Sequence, residues 1–402
     1  MLTYPDIFEA HADEFPDVVA ISYGDRDITW SQYEDSAARL ASALSASGLG
    51  RESKVGMFMY NCPEYLITQF AAFKQRITPV NVNYRYLDDE LHYLLENADC
   101  EAVVYHASLG DRIGRVKDRL PKLRLLIEVS DAPSAGVQGA VAWDAVLASH
   151  QPAPRIERGL DDLYMLYTGG TTGMPKGVMY AMGNFTAGFL GFYTAPMGRP
   201  PVQNIAEVTG MAKIVHSMGQ PVAVPCCPLM HGTGVWLGAL LPHLVAGKVV
   251  LLEGRSFDAA ELFRAVERHR ISTLVIVGDA FARPMVQALR ARILSESLDS
   301  SADAQPLRTA LAPRFFGAGG PAMAEAGVEL AFDLTRHSLI GISEVFKKIF
   351  QFRRLFLQLL KLAVERFLPK LRDTAQKIRQ TFADQQRDPP HQQTPRAVAN
   401  GR

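Results

Sequence analysis

The apolar and polar positions of the first 150 residues alternate between two periods. Val18-Val19-Ala20-Ile21-Ser22 and Asp27-Ile28-Thr29-Trp30 are β-prone runs on either side of Tyr23-Gly24-Asp25-Arg26, the pattern of two paired strands joined by a turn. Tyr33, Ala37, Leu40, Ala41 and Leu44 then recur at intervals of three and four, which predicts a helix. Ser31-x-x-Glu34 has the form of a capping box at its start, and Gly48 is a natural stop. Strands are expected over 54–60, 78–83 and 102–105, and helices over 65–75 and 87–96. Strand–helix alternation of this kind predicts parallel βαβ units. Residues 130–160 hold Pro133, Pro152 and Pro154 and read as a loose connection.

Further along, 162–167 is a short apolar run expected to be a buried strand, and 178–180 is a second β-prone run. Between 185 and 220 no period stands out, although 196–201 reads as a loop and 204–218 as a helix. An apolar strand is expected from Val222, another over 248–252, a helix over 258–269, and a strand over 271–277 that enters a helix at Gly278-Asp279. Near 307–317, Pro313 would remove a ladder donor from any strand.

Composition narrows the class. At 402 residues, 48% apolar and 21% charged, the chain has the make-up of an ordinary globular protein with two or three sub-domains. Its formal net charge of zero gives no general case for nucleic acid. The N-terminus lacks a basic and apolar leader, and no apolar run approaches the ~18 residues of a spanning helix, so a cytoplasmic location is expected. Cys62, Cys100, Cys226 and Cys227 do not form a disulfide framework. Cys226, Cys227, His216 and His231 are close in sequence, but adjacent cysteines lack the usual zinc spacing and read as small buried thiols.

The most informative chemistry lies in Tyr167-Thr168-Gly169-Gly170-Thr171-Thr172-Gly173-Met174-Pro175-Lys176-Gly177. Glycines let a backbone approach a ligand closely, successive N–H groups in a turn make an anion nest, and threonine hydroxyls add donors. Lys176 adds a mobile positive charge suited to phosphate. The stretch therefore reads as a holder for a polyphosphate, the alternative being a glycine-rich surface turn. It is neither G-x-x-x-x-G-K-[ST], since Pro175 precedes Lys176, nor G-x-G-x-x-G.

Tyr167 to Val178 fits [YF]-T-[SG]-G-[ST]-T-G-x-P-K-G-V at every position, and so resembles the phosphate-binding signature of the adenylate-forming (AMP-binding) superfamily. Thr29-Trp30, Asn61-Cys62-Pro63-Glu64, and Pro79-Val80-Asn81-Val82-Asn83-Tyr84-Arg85 ahead of Glu90-Leu91 resemble that family's N-terminal landmarks in order and spacing. The fold implied is α/β: the large N-terminal domain of the acyl-adenylating enzymes, with βαβ sub-domains and packed sheets. The resemblance implies ATP, Mg²⁺ and coenzyme A as reactants. Thr168, Gly169, Gly170, Thr171, Thr172, Gly173 and Lys176 would cradle phosphates, with Lys176 and Thr171 in catalytic roles. Pro228-Leu229-Met230-His231-Gly232 resembles the family's P-[LM]-[FM]-H-x-x-G, which implies that His231 and Gly232, with Gly278, line the acyl pocket. A lone histidine after an apolar strand can equally be a satisfied structural group. Gly319 and Gly320 resemble the adenine-side turn, and Ile340-Gly341-Ile342-Ser343-Glu344 places Glu344 near Mg²⁺, with a helix cap as its rival role.

The function implied is ATP-dependent conversion of a fatty or other lipophilic acid to an acyl-adenylate and then an acyl-CoA, nearest to the long-chain acyl-CoA ligases of actinobacterial type. Beyond Glu344 the family's ribose-binding aspartate, hinge and C-terminal lysine find no match, so the small C-terminal domain is expected to be missing and the activity weak. Residues 345–387 carry eleven Lys or Arg against three acids, about +8 net, with an apolar stripe at helical spacing. They read as a basic amphipathic helix that meets a membrane or partner, or packs on the chain itself. The expected organisation is 1–150 as an α/β sub-domain, 151–344 as an AMP-binding core with its phosphate loop at 167–178, this helix, and a disordered tail at 388–402. The rival function is a non-catalytic relative that binds nucleotide or acyl ligand and docks through the basic helix.

Overall fold

The structure, a computed structural model, describes residues 2–170, 173–195, 199–298 and 314–318. Helix α1 (Tyr4–Glu14) precedes the hairpin of β1 (Val19–Tyr23) and β2 (Arg26–Thr29), and α2 (Trp30–Ala46) follows. Then come β3 (Lys54–Phe58), α3 (Pro63–Lys74), β4 (Thr78–Asn81), α4 (Asp88–Asn97) and β5 (Cys100–His106). After them lie α5 (Gly110–Val116), β6 (Leu125–Val129), β7 (Ala140–Ala142) and α6 (Trp143–Ser149). Next are β8 (Leu163–Gly170), β9 (Gly173–Ala181), α7 (Met182–Thr194), α8 (Ile205–Ser217) and β10 (Val222–Pro225). A π-helical turn (Thr233–Leu240) runs into the short α9 (Leu241–His243). The described part ends with β11 (Lys248–Leu251), α10 (Ala259–His269), β12 (Thr273–Val277), α11 (Asp279–Leu298) and β13 (Arg314–Ala318).

The expected α/β architecture forms, with two mixed sheets. One has the order β13-β12-β10-β11-β1-β2 and is parallel except for the β1–β2 hairpin. The other has the order β7-β6-β5-β3-β4-β8-β9 and is parallel except for β8–β9. Each sheet takes strands from both sides of residue 150: β1 pairs with β11 (Ile21↔Val249), and β4 pairs with β8 (Val80↔Met165). Helices α1, α2 and α3 lie between the sheets, where Tyr4, Phe8, Trp30, Tyr33 and Phe70 share one core with Ile21 and Val249 of the first sheet and Val55 and Val104 of the second. A second core packs Leu91, Leu94 and Ile113 of α4 and α5 against Val80 and Val103. The basic segment 345–387 and the tail 388–402 lie outside the described residues. Among the described residues no helix is long and apolar enough to cross a membrane.

Several local expectations are corrected. The capping box of α2 is Thr29-x-x-Gln32, not Ser31-x-x-Glu34: the Thr29 N–H donates to Gln32 Oε1 at 3.0 Å, and Thr29 Oγ1 accepts the Gln32 N–H at 3.4 Å. Trp30 is wholly buried and donates its indole N–H to Ala246 O, so the helix begins at the tryptophan, and Ser31 turns its hydroxyl to Pro16 O. Residues 130–160 are not only a loose connection, since β7 and α6 form there. Helix α7 occupies part of the stretch without a period: it is apolar on almost every side and carries Gly183, Gly188 and Gly191, so it has no stripe to read. Strand β13 is Arg314–Ala318, and Pro313 lies outside the described residues.

Lys74, fully buried on α3, donates to Glu9 Oε1 and Glu34 Oε1, each at 2.6 Å, and Arg158 donates to Glu9 and Asp6, tying the 150–162 connection to α1. His11 and His243 both lie edge-on to Trp30 and donate Nε2–H to Leu244 O and Ala20 O, each at 3.1 Å.

Candidate functional site

The stretch expected as one phosphate loop is a β-hairpin. Tyr167 pairs with Gly177, Thr168 with Lys176 and Gly170 with Gly173. Side-chain chemistry explains the long ladder. A Cβ on Gly177 would sit 2.9 Å from Tyr167 Cε2, so the glycine gives the tyrosine ring its place across the hairpin. Pro175 is tolerated because β9 is the edge strand of its sheet. Directly opposed residues of an antiparallel pair share a face. Thr168 and Lys176 therefore share one face of the hairpin; both are exposed, and among the described residues Lys176 has no ion-pair partner.

That face borders a cavity of about 670 Å³. Leu166, Thr168 and Tyr180 line it from the hairpin, and Phe189 and Phe192 line it from α7. Asn81, Asn83 and Tyr86 contribute from the carboxyl end of β4, and His231, Gly232, Trp236 and Leu237 from the segment after β10. Most of this wall is aromatic or aliphatic, with polar groups concentrated at Thr168, His231 and the asparagines, the usual character of a small-molecule site. Trp236 is fixed by an indole N–H bond to Tyr164 OH at 3.1 Å and lies edge-on to Tyr180.

The segment carrying His231 is built on close approach. A Cβ on Gly238 would lie 2.6 Å from Pro225 Cβ, and one on Gly234 would meet the Pro228 carbonyl, so these glycines let the π-helical turn pack on the end of β10. The Thr233 backbone N–H donates to His231 Nδ1 at 3.2 Å. A backbone N–H can only donate, so Nδ1 is the acceptor and the neutral ring carries its proton on Nε2. His231 is exposed at the cavity and has a defined N–H to offer.

Two asparagines hold this segment against the second sheet. Asn61 Oδ1 accepts the Leu229 N–H at 2.7 Å, and its Nδ2 donates to Cys227 O at 3.3 Å. Asn81 Oδ1 accepts the Tyr167 N–H at 2.6 Å, and its Nδ2 donates to Tyr167 O at 3.1 Å and to Met230 O at 2.6 Å. Sequence reasoning treated both only as landmarks. The available signal was their position, each an asparagine at the carboxyl end of a β-prone run.

The structure thus brings Thr168, His231 and Gly232 together, with Lys176 opposite Thr168. Gly169 and Gly170 end β8 and Gly173 begins β9. Gly278 does not line the cavity; it takes φ +65° between β12 and α11. Thr171, Thr172, Gly319, Gly320 and Glu344 lie outside the described residues. Cys226 and Cys227 are buried, and burial pushes the Cys227 thiol up to about 12 and that of Cys226 further. Among the described residues no group of three His, Cys, Asp or Glu comes together that could hold a metal ion.

The chain matches the AMP-binding enzyme family over residues 8–341. Medium-chain acyl-CoA ligase Mig of Mycobacterium avium is 34% identical over 313 residues, covering 73% of this chain and 56% of that one. The 3-oxocholest-4-en-26-oate–CoA ligase of Rhodococcus rhodochrous is 33% identical over 294 residues, covering 72% and 51%. The chain therefore spans about half the length of these curated relatives. Among solved structures, the inhibitor-bound N-terminal domain of FACL13 from Mycobacterium tuberculosis aligns with a TM-score of 0.59 at 18% identity, over 82% of this chain and 74% of that one. At that identity the likeness concerns the fold alone.

Proposed function

The chain belongs to the AMP-binding enzyme family, and from that premise we propose that it activates a fatty or other lipophilic carboxylic acid with ATP and passes the acyl group to coenzyme A. The observation that carries this reading is the cavity of about 670 Å³, apolar along α7 and Trp236 and polar where Thr168 and His231 meet. A lipophilic tail fits the aromatic wall, and its carboxylate fits the polar end, where His231 Nε2–H can orient it. The carboxylate oxygen attacks the α-phosphorus of ATP, the bond to pyrophosphate breaks, and an acyl-adenylate forms. The thiol of coenzyme A then attacks the acyl carbon and AMP leaves.

Phosphoryl transfer needs mainly positioning and charge neutralisation. Lys176 and Thr168, side by side on the hairpin, supply a cation and a hydroxyl to the departing phosphates, and a charge-assisted hydrogen bond contributes about 1.5–3 kcal/mol. Thr171, Thr172 and the glycines at 169, 170 and 173 belong to the same phosphate-binding proposal, and Gly319 and Gly320 are proposed for adenine; Gly278, away from the cavity, is given no acyl role. Magnesium would neutralise phosphate charge, with Glu344 the residue proposed to hold it.

ATP–pyrophosphate exchange with fatty acids of graded length tests the reading on the full chain. Acid-dependent exchange is expected, falling about 10²–10³-fold in Lys176→Ala with the fold intact. Binding of ATP and acid without any exchange, together with liposome binding lost on deleting 345–402, would replace it with the non-catalytic docking function.

A further inference from the structure

Strand β4 meets β8 in parallel at Val80↔Met165 and ends at Asn81. Beyond that point the Asn81 side chain takes over the ladder. Its amide faces Tyr167 as a peptide group would, accepting the N–H at 2.6 Å and donating to the carbonyl at 3.1 Å. Its second N–H is not spent in the sheet but goes across to Met230 O, at 2.6 Å, on the residue before His231. Both donors and the acceptor oxygen are therefore engaged, in a side chain only 5% exposed. The two backbone segments joined are the ones that present Thr168 and His231, each one residue further along the chain. Asn61 differs: both of its bonds go to the 227–229 segment.

We infer that Asn81 is a positioning residue that sets the His231 turn at a fixed distance from the hairpin strand carrying Thr168. Its catalytic consequence rests on the proposed function; the mechanical coupling does not. Thr168 lies on β8 of the second sheet and His231 in the segment that follows β10 of the first, one proposed to act toward phosphate and one toward carboxylate. A single amide with one bond pair to one segment and one bond to the other makes their separation a property of the fold, set before any ligand arrives. A misplacement of the order of 1 Å between reacting groups can cost about 10²-fold in rate.

Asn81→Asp is the informative variant. It keeps size and the acceptor for Tyr167 N–H, but turns both donations into carboxylate-against-carbonyl contacts. Hydrogen–deuterium exchange of the full chain reads the coupling without any need for activity. Faster exchange is expected in both 163–170 and 226–235 for Asn81→Asp, and in 226–235 alone for Asn61→Asp, with β5 and β6 unchanged. If Asn81→Asp does not fold, Asn81→Ala gives the same pattern by loss of the whole amide. Faster exchange in one segment only, in all strands alike, or in neither overturns the inference. In pyrophosphate exchange, Asn81→Asp is expected to lower kcat about 10²-fold while the KM for ATP stays within about threefold. That kcat loss should largely disappear in a His231→Ala background, where there is no ring left to position. An undiminished loss there overturns the route through His231. A wild type with no exchange activity refutes the proposed function, while the hydrogen-exchange pattern still decides the mechanical coupling.

Discussion

His11 and His243 are held where a charge has nowhere to go. Each donates Nε2–H to a backbone carbonyl, and each Nδ1 is buried with no partner among the described residues. A proton added at Nδ1 would create a buried N–H without an acceptor among Trp30, Tyr33 and Phe8. Burial is the main cause that lowers both groups to about 4 from the ordinary 6.5. The unfolded chain thus takes up two protons near pH 6.5 that the folded chain refuses until about pH 4. The stabilisation is fully present above the unfolded value and is lost as pH falls from about 6.5 towards 4. At about 1.4 kcal/mol for each pH unit crossed in that window, each imidazole should remove about 2 kcal/mol of stability between about pH 7 and pH 5. Urea unfolding at those two pH values should therefore show a loss of about 4 kcal/mol from this pair in the wild type. Glutamine keeps an N–H for the carbonyl but cannot ionise, so His11→Gln and His243→Gln should each shrink the pH-dependent loss by about 2 kcal/mol. Glu34, which burial raises, works in the opposite sense but cancels between wild type and variant. A variant with the wild-type pH dependence would show that these imidazoles are not the proton acceptors.

Three further outcomes follow from the packing. Lys74→Met leaves Glu9 and Glu34 facing each other without their shared ammonium and should cost about 3 kcal/mol in urea unfolding, partly recovered by adding Glu34→Gln; an unchanged midpoint would refute it. Gly177→Ala drives a methyl into the Tyr167 ring and should lower Tm and pyrophosphate exchange together, whereas Gly188→Ala, with open space around it, should lower neither. All four cysteines are buried, and burial raises Cys100 and Cys227 to about 12, so a disulfide reagent at neutral pH should label none until urea unfolds the chain; rapid labelling of the folded chain would contradict the packing.

Much of the fold was legible because many of its elements carry a clear period. The β1–β2 pair, α2, α3, α4 and α10 show either paired β-runs or helical spacing in the bare sequence, and the structure places each within a few residues. Helix α7 was not legible because a helix buried in aromatic surroundings has no polar face to contrast with. The Thr29 cap was missed because two overlapping candidates, two residues apart, satisfy the same pattern. The burial of Trp30 decides between them, and burial is a tertiary fact. At the site, Thr168 was named from residue type and His231 and Gly232 only from the family resemblance, and all three line one cavity. The hairpin nature of 167–178 was hidden by its glycines, whose role at 177 is to admit a tyrosine ring. Asn81 was hidden for a different reason: its three bonds reach residues far along the chain, and no local pattern encodes them.

The pairing of β1 with β11 also fixes an order of events during synthesis. The β1–β2 hairpin emerges early, yet the strand that covers its inner edge at Val249 follows Ile21 by roughly 230 residues. At the ~5–20 residues per second of a ribosome, that is a wait of roughly 10–45 s with Ile21 and Trp30 uncovered. The second sheet faces a similar delay, because β8 must arrive before β4 gains its outer neighbour. Neither sheet can close as an N-terminal unit, so the two should close late and nearly together, and the interval before that is when a nascent chain of this design most needs a chaperone.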